Sequence, residues 1–188
     1  YLEAQGVLDV RTVLSIFVPV VTAVAYAHGH GFVHRDLKPD NIFLSRDVTG
    51  RMVPKVLDFG IAKSLTAGPH AGATQTGALL GTPLYMAPEQ ARGQANVGVA
   101  ADIWSLGVIL FECLAGRRPF EFPPDAVLYQ VVLAVAEGNP PKLHDTAPHV
   151  APAIAKMVDQ CLEGDPAARP TAKGLVDALT ELAKGSTR

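Results

Sequence analysis

The chain has 188 residues, a length typical of one domain of roughly 100–200 residues. Hydrophobic residues make up 48% and charged residues 18%, which excludes a disordered or collagen-like protein. The formal net charge is −2, and no basic run indicates nucleic acid or an anionic membrane surface as a partner. Cys113 and Cys161 are too few for a disulfide framework, and we expect buried thiols in a reducing compartment.

The first half of the chain is predicted to combine one helix with two short strands. Apolar residues at spacings of three and four predict a helix over 12–29, in which Pro19 should cause a kink or remove a hydrogen bond. Its apolar run is shorter than the ~20 residues that a membrane span needs, so we expect a buried core helix. Ile42–Leu44 and Val53–Leu57 are predicted strands, and the glycine- and proline-rich stretch 64–83 is predicted to be irregular.

The second half is predicted to be helical. Asp102–Ala115 is apolar on nearly every face, which is typical of a helix buried all round, and Gly116 should end it. Later helices are predicted over Asp125–Glu137, Pro152–Leu162 and Thr171–Leu182. Thr171 can cap the last of them.

The most informative stretch is HRDLKPDN at 34–41, a polar loop between the first helix and the strands, and DFG follows the second strand at 58–60. Phosphoryl transfer requires an acceptor that orients a hydroxyl, oxygen ligands for magnesium, and a cation beside the moving phosphoryl group. In that order, these groups are supplied by Asp36, by Asn41 with Asp58, and by Lys38.

These two motifs, followed by Ala87-Pro88-Glu89, resemble the protein-kinase signature set in order and spacing. Leu37-Lys38-Pro39 and Gly81-Thr82-Pro83 are similar to the serine/threonine branch of the family. The sequence around them is similar to that of bacterial eukaryotic-like kinases. The resemblance implies that 1–188 form the mainly α C-terminal lobe of a kinase catalytic domain, with short β-strands around the catalytic loop. No G-x-G-x-x-G precedes the loop, and the first lysine is Lys38, so the N-lobe is expected to be absent.

The resemblance also assigns roles within the site. Asp36 would be the catalytic base, Lys38 a phosphate contact, and Asn41 with Asp58 the ligands of Mg²⁺ or Mn²⁺ beside ATP. Phe43 would form part of the floor under adenine, although ordinary core packing is an open alternative for this side chain. His34 and Phe59 are expected to pack rather than react, and the other five histidines are assigned no function.

Regulatory and structural roles follow from the same resemblance. Arg35 would bind a phosphate on the activation segment, 58–89, where Thr74 and Thr76 resemble paired autophosphorylation sites or simply reflect loop composition. Three further contacts are implied: Thr82 with Asp36 and Lys38, Glu89 with Arg169, and Asp102 with the backbone around His34 and Arg35.

The resemblance favours a cytoplasmic serine/threonine protein kinase, or the cytosolic part of a membrane-anchored one, that transfers the γ-phosphoryl group of ATP to protein hydroxyls. Because the chain begins at Tyr1 and lacks the nucleotide clamp, we expect a fragment that is inactive without its N-lobe partner. Two alternatives remain: a non-catalytic, pseudokinase-like binding module, and a small-molecule phosphotransferase, which the long 58–89 segment disfavours.

Overall fold

The computed structural model describes residues 6–58, 82–123 and 125–185. Seven helices lie in these ranges: α1 (Val10–Gly29), α2 (Pro88–Ala91), α3 (Ala100–Ala115), α4 (Leu128–Glu137), α5 (Leu143–Thr146), α6 (Pro152–Cys161) and α7 (Ala172–Gly185). Two strands, β1 (Ile42–Arg46) and β2 (Met52–Val56), form a hairpin, and 3-10 turns occur at Pro39–Asn41, Thr82–Tyr85 and Pro166–Ala168. The prediction of a mainly helical fold is confirmed.

Helix α3 forms the centre of the core. Thirteen of its sixteen residues are buried, because its sequence presents an apolar surface to every side. Trp104 and Phe111 are fully buried, and the helix contacts α1, α5 and α6. The helix ends at Gly116, which has a φ of 70°, a left-handed conformation that glycine adopts without a side-chain clash.

Helix α1 lies against α3, α7 and β2 and starts two residues earlier than predicted. Asp9 caps it by accepting a hydrogen bond from the Thr12 backbone at 3.0 Å. Pro19 lies on the exposed side, so water can solvate the Ser15 carbonyl that the ring leaves without an intrahelical donor. The helix is long and apolar enough to cross a membrane, but seven of its side chains are buried in the core, as expected of a core helix.

The β1–β2 hairpin is antiparallel, and Ile42 pairs with Val56 at its open end. Asp47 closes the other end by accepting hydrogen bonds from the backbone N–H groups of Thr49 and Arg51. The Thr49 hydroxyl and these N–H groups lower the pKa of the Asp47 carboxyl. Because the turn fixes the register, the residues that flank the two strands at the open end lie side by side.

The later helices follow the predicted pattern, but some of their ends differ. Helix α4 begins three residues after the predicted start, α7 ends three residues after the predicted end, and the one-turn helix α5 was not predicted. Thr171 caps α7 as expected, since its hydroxyl accepts from the Gly174 N–H at 3.1 Å. Cys113 and Cys161 are buried and free, and burial raises the pKa of each thiol to about 12.

The close approach of α3 to α6 gives a first testable prediction. A Cβ at Gly107 would lie 2.7 Å from Cys161 Cβ and 3.1 Å from Leu162 Cδ2. We therefore expect Gly107→Ala to lower the free energy of unfolding by about 1–3 kcal/mol, despite the higher helix propensity of alanine.

Gly174→Ala in α7 is the matched control, because its Cβ would meet only the Thr171 hydroxyl, at 3.4 Å. This variant should leave stability unchanged or raise it by up to about 1 kcal/mol. Urea unfolding midpoints of the two variants measure the difference, and equal midpoints would contradict the packing argument.

Candidate active site

One buried carboxylate of α3 holds the loop at 34–41 in place. Asp102, in the first turn of α3, accepts hydrogen bonds from the backbone N–H groups of His34 at 2.8 Å and Arg35 at 2.7 Å. Its Oδ2 also lies 2.8 Å from Nε2 of His28 on α1. Because a buried carboxylate is stable only when it is well hydrogen-bonded, these contacts fix the loop against α3. The predicted contact between Asp102 and the loop backbone is confirmed.

His34 joins the loop to the residue that follows β2. Its ring is fully buried, and Nε2 lies 2.8 Å from the carbonyl oxygen of Leu57. A carbonyl only accepts, so Nε2 carries the proton and Nδ1 can accept the N–H of Asp36, which lies 3.4 Å away. His34 therefore acts as a packed, structural residue, as predicted.

Asn41 connects the predicted base to the hairpin. The side-chain Nδ2 of Asn41 donates to the backbone carbonyl of Asp36 at 2.7 Å. The backbone carbonyl of Asn41 accepts from the Leu57 N–H at 2.9 Å. Asp58 is the next residue, so the open end of the hairpin brings the backbone of Asp36, Asn41 and Asp58 into one region. This convergence is the geometry on which the predicted site depends.

The donor set at this end of the hairpin suits a hard cation. Since Nδ2 of Asn41 is engaged with Asp36, the oxygen Oδ1 is the atom of that side chain available to a metal. Asp58 is exposed and offers a carboxylate, and Mg²⁺ prefers one or two such oxygens together with phosphate oxygens and water. In the described ranges no cluster of three or more His, Cys, Asp or Glu side chains forms a separate metal centre.

Two residues of the site adopt a backbone conformation that is unfavourable for a side chain. Arg35 has a φ of 65° and Asp58 a φ of 53°. Each such residue costs on the order of 1–3 kcal/mol, and the conformation persists only where surrounding contacts impose it. Here the Asp102 carboxylate holds the Arg35 N–H, and the hairpin holds the residue before Asp58.

Glu89 and Arg169 form the predicted ion pair, which is confirmed as a contact. The pair is bidentate, with N–O distances of 2.8 and 2.9 Å. The three remaining guanidinium donors reach the carbonyls of Glu163, Ala100 and Gly164, so all five donors of the side chain are used. Trp104 also packs against the guanidinium, 5.1 Å from its ring centroid. The pair anchors α2 to the segment that directly precedes α7.

The segment before α2 is also tied to α3. Ser105 donates to the Tyr85 carbonyl at 2.7 Å, and the Tyr85 hydroxyl donates to Glu112 at 2.7 Å. Burial, and then the hydrogen bond to the Glu112 carboxylate, raise the pKa of Tyr85. The segment from Pro83 to α2 is thereby placed beside the loop at 34–41.

The structure gives the exposure of some predicted site residues and does not describe others. Phe43 is 54% exposed, so it lies outside the core of the described residues, and its place under adenine stays a prediction. Lys38, within the loop, is half-buried. Three predicted residues, Phe59, Thr74 and Thr76, and the side chain of Thr82 lie outside the described part of the structure, so their roles stay predictions.

Sequence reasoning missed two side chains that support the loop. His28 was assigned no function, yet it contacts Asp102. Gln90 donates from Nε2 to the Arg35 carbonyl at 2.9 Å. Their partners lie 74 and 55 residues away in the sequence, and no local pattern signals a contact over such separations.

Comparison with known proteins agrees with this geometry. A family model described as the protein kinase domain matches residues 1–179. The chain belongs to the protein kinase family. Serine/threonine-protein kinase Pkn1 of Myxococcus xanthus is 42% identical over 159 residues, which are 85% of this chain and 22% of that kinase. Serine/threonine-protein kinase PknA of Mycobacterium tuberculosis is 36% identical over 185 residues, which are 98% of this chain and 40% of that kinase.

A vertebrate relative is also similar: the maternal embryonic leucine zipper kinase of Danio rerio is 34% identical over 178 residues, covering 94% of this chain and 24% of its own length. The kinase chain therefore spans less than half the length of these relatives. The predicted resemblance to bacterial-type serine/threonine protein kinases is confirmed.

The Glu89–Arg169 pair gives the second prediction. Arg169→Met would leave the Glu89 carboxylate buried without its counter-ion, which typically destabilises a protein by about 3–5 kcal/mol. We expect a loss of this size in the free energy of unfolding, measured by urea denaturation.

Arg117→Met is the control, because Arg117 and Glu121 form an ion pair at 2.9 Å in which the side chains are 48% and 56% exposed. Removing such a surface pair should change stability by at most about 1 kcal/mol. Equal losses in the two variants would show that the buried pair does not anchor α2.

Proposed function

We propose that this chain carries the catalytic loop and the protein-substrate platform of an ATP-dependent protein-serine/threonine kinase. The observation that carries the proposal is the convergence of Asp36, Asn41 and Asp58 at the open end of the hairpin. Membership of the kinase family supports the reaction class. The names of the bacterial relatives support serine and threonine as the acceptors.

In the proposed reaction, the Asp36 carboxylate accepts a hydrogen bond from a Ser or Thr hydroxyl and orients it toward the γ-phosphorus of ATP. The hydroxyl oxygen forms the new bond to phosphorus, the bond to the ADP oxygen breaks, and the hydroxyl proton passes to Asp36. Lys38, two residues further along the loop, would place its ammonium group beside the transferred phosphoryl group. The protein contributes positioning and charge rather than a covalent intermediate.

Asn41 Oδ1 and the Asp58 carboxylate are the groups proposed to hold Mg²⁺. When held there, the ion would supply positive charge that offsets the negative charge developing on the transferred phosphoryl group. The rigid bond from Asn41 Nδ2 to the Asp36 carbonyl fixes the side chain in advance of binding. The base and the proposed metal ligand are therefore positioned by the same hydrogen bond.

The proposed protein substrate would lie along the segment from Pro83 to α2. That segment is held by Ser105, by Glu112 and by the Glu89–Arg169 pair. A platform with several buried attachments suits a macromolecular substrate better than a small one. Where the activation segment carries phosphate, Arg35 is the proposed partner of that group.

We further propose that activity requires an upstream lobe that covers the nucleotide. Phe43 and Leu57, near the open end of the hairpin, are 54% and 39% exposed, which suits a surface covered by adenine and by a second lobe. Lys38 is the first lysine of the chain, so we propose that the upstream lobe supplies the lysine that pairs the α- and β-phosphates in this family.

The third prediction concerns the isolated chain. The 188-residue chain should transfer no detectable phosphate from radiolabelled ATP to a generic protein substrate, because the nucleotide clamp is missing. The same sequence joined to its upstream lobe should be active. Robust phosphorylation by the isolated chain would contradict the proposed requirement for that lobe.

The fourth prediction concerns the base. In the active two-lobed protein, Asp36→Asn should lower kcat by at least about a hundredfold, since general base catalysis typically contributes 10²–10⁴. Asp40→Asn is the control in the same loop, because Asp40 is exposed and has no proposed role.

Steady-state kinetics with a Ser/Thr peptide separates the candidate functions. Loss in Asp36→Asn alone supports catalysis. If the two-lobed wild-type protein binds peptide or ATP without transferring phosphate, the chain belongs to a non-catalytic binding module.

A further inference from the structure

We infer that Gln90 is a positioning residue for the proposed base, Asp36: its side-chain amide holds the peptide group that immediately precedes Asp36. This inference rests on the proposed kinase function and adds a residue to it. Gln90 is the third residue of α2 and lies 55 positions from its partner in the loop.

The two ends of the Gln90 amide have different partners. Oε1 accepts from the backbone N–H of Ala87 at 3.0 Å, and Nε2 donates to the carbonyl of Arg35 at 2.9 Å. A flipped amide would set N–H against N–H and oxygen against oxygen, so the partners define the orientation. The side chain therefore closes the start of α2 and contacts the catalytic loop at the same time.

The peptide group that Gln90 contacts is the one that joins Arg35 to Asp36. Its oxygen accepts from Gln90, and its N–H faces Nδ1 of His34 at 3.4 Å. On the other side of Arg35, the preceding peptide N–H donates to Asp102. Contacts on both sides of Arg35 explain how this residue keeps a φ of 65°.

The support behind Gln90 is rigid. Its neighbour Glu89 is 3% exposed and is held by the bidentate pair with Arg169. Ala87, on the other side of Pro88, is fully buried. A hydrogen bond from such a fixed position restricts rotation of the Arg35–Asp36 peptide plane. Rotation of that plane would move the Asp36 carboxylate, and small displacements of a reacting group reduce rates strongly.

The chain contains a matched control for this role. Gln130, the third residue of α4, accepts the backbone N–H of Val127 at 3.2 Å, as Gln90 does at Ala87. The described contacts of Gln130 do not include the catalytic loop. Substitutions at Gln130 therefore report the loss of a helix-start hydrogen bond alone.

The experiment uses the two-lobed protein with Gln90→Glu, Gln90→Leu, Gln130→Glu and Gln130→Leu. Glutamate keeps the acceptor for the helix start but loses the donor to Arg35, and leucine loses both without adding charge. We expect both Gln90 variants to lower kcat for a Ser/Thr peptide about tenfold, because a less restrained Arg35–Asp36 peptide displaces the Asp36 carboxylate from its reactive position. The KM for ATP should change by less than about twofold, because nucleotide binding uses other groups.

A second readout is independent of activity. Amide hydrogen exchange in peptides covering residues 34–41 should be faster in both Gln90 variants and unchanged in both Gln130 variants. Together, a selective loss in kcat and faster exchange in the loop support the positioning role.

Three results would overturn it: wild-type kcat in Gln90→Leu, equal losses at Gln90 and Gln130, or unchanged exchange in the loop. If the wild-type protein itself transfers no phosphate, the proposed function fails. The exchange measurement then decides alone whether Gln90 holds the loop.

Discussion

The buried carboxylate of Asp102 is the constraint on which the site depends. A carboxylate at 0% exposure is tolerated only where donors replace its water, and here the donors are two backbone N–H groups of the loop and the ring of His28. The same hydrogen bonds therefore stabilise the buried charge and fix the shape of the loop. Removing the loop from this position would leave the carboxylate unsatisfied, so the core itself favours the geometry that places Asp36.

Helix α3, which is buried on nearly all sides, supports the loop and the platform at the same time. Asp102 in its first turn holds the loop, while Ser105 one turn later holds the Tyr85 carbonyl. The Ala100 carbonyl receives a bond from Arg169, the partner of Glu89. Because these contacts come from successive turns of one rigid helix, the loop and the proposed substrate segment keep a fixed relation. A less buried helix could shift, and that relation would change with it.

Much of the fold could be predicted because its signals are local. Apolar periodicity predicts α1 and α3, and the resemblance of the motif residues to the protein-kinase signature predicts the base and the proposed metal ligands. Helix starts were less accurate, because Asp9 caps α1 before the apolar pattern begins. The contacts of His28 and Gln90 could not be predicted, since a polar side chain on a helix does not specify a partner that tertiary packing brings from a distant segment.

The two left-handed residues show why the site needs this much support. Glycine would adopt a φ near 60° without strain at either position, yet Arg35 and Asp58 occupy them with side chains to which the proposed mechanism assigns charge. The strained backbone thus places a guanidinium and a carboxylate, which glycine would lack, at fixed points of the site. Asp102 and Gln90 restrain the backbone of Arg35 on its two sides, and the Leu57 bonds to His34 and Asn41 restrain the backbone that leads into Asp58. The strained backbone at both residues therefore persists only while these contacts from distant segments hold the loop and the hairpin together.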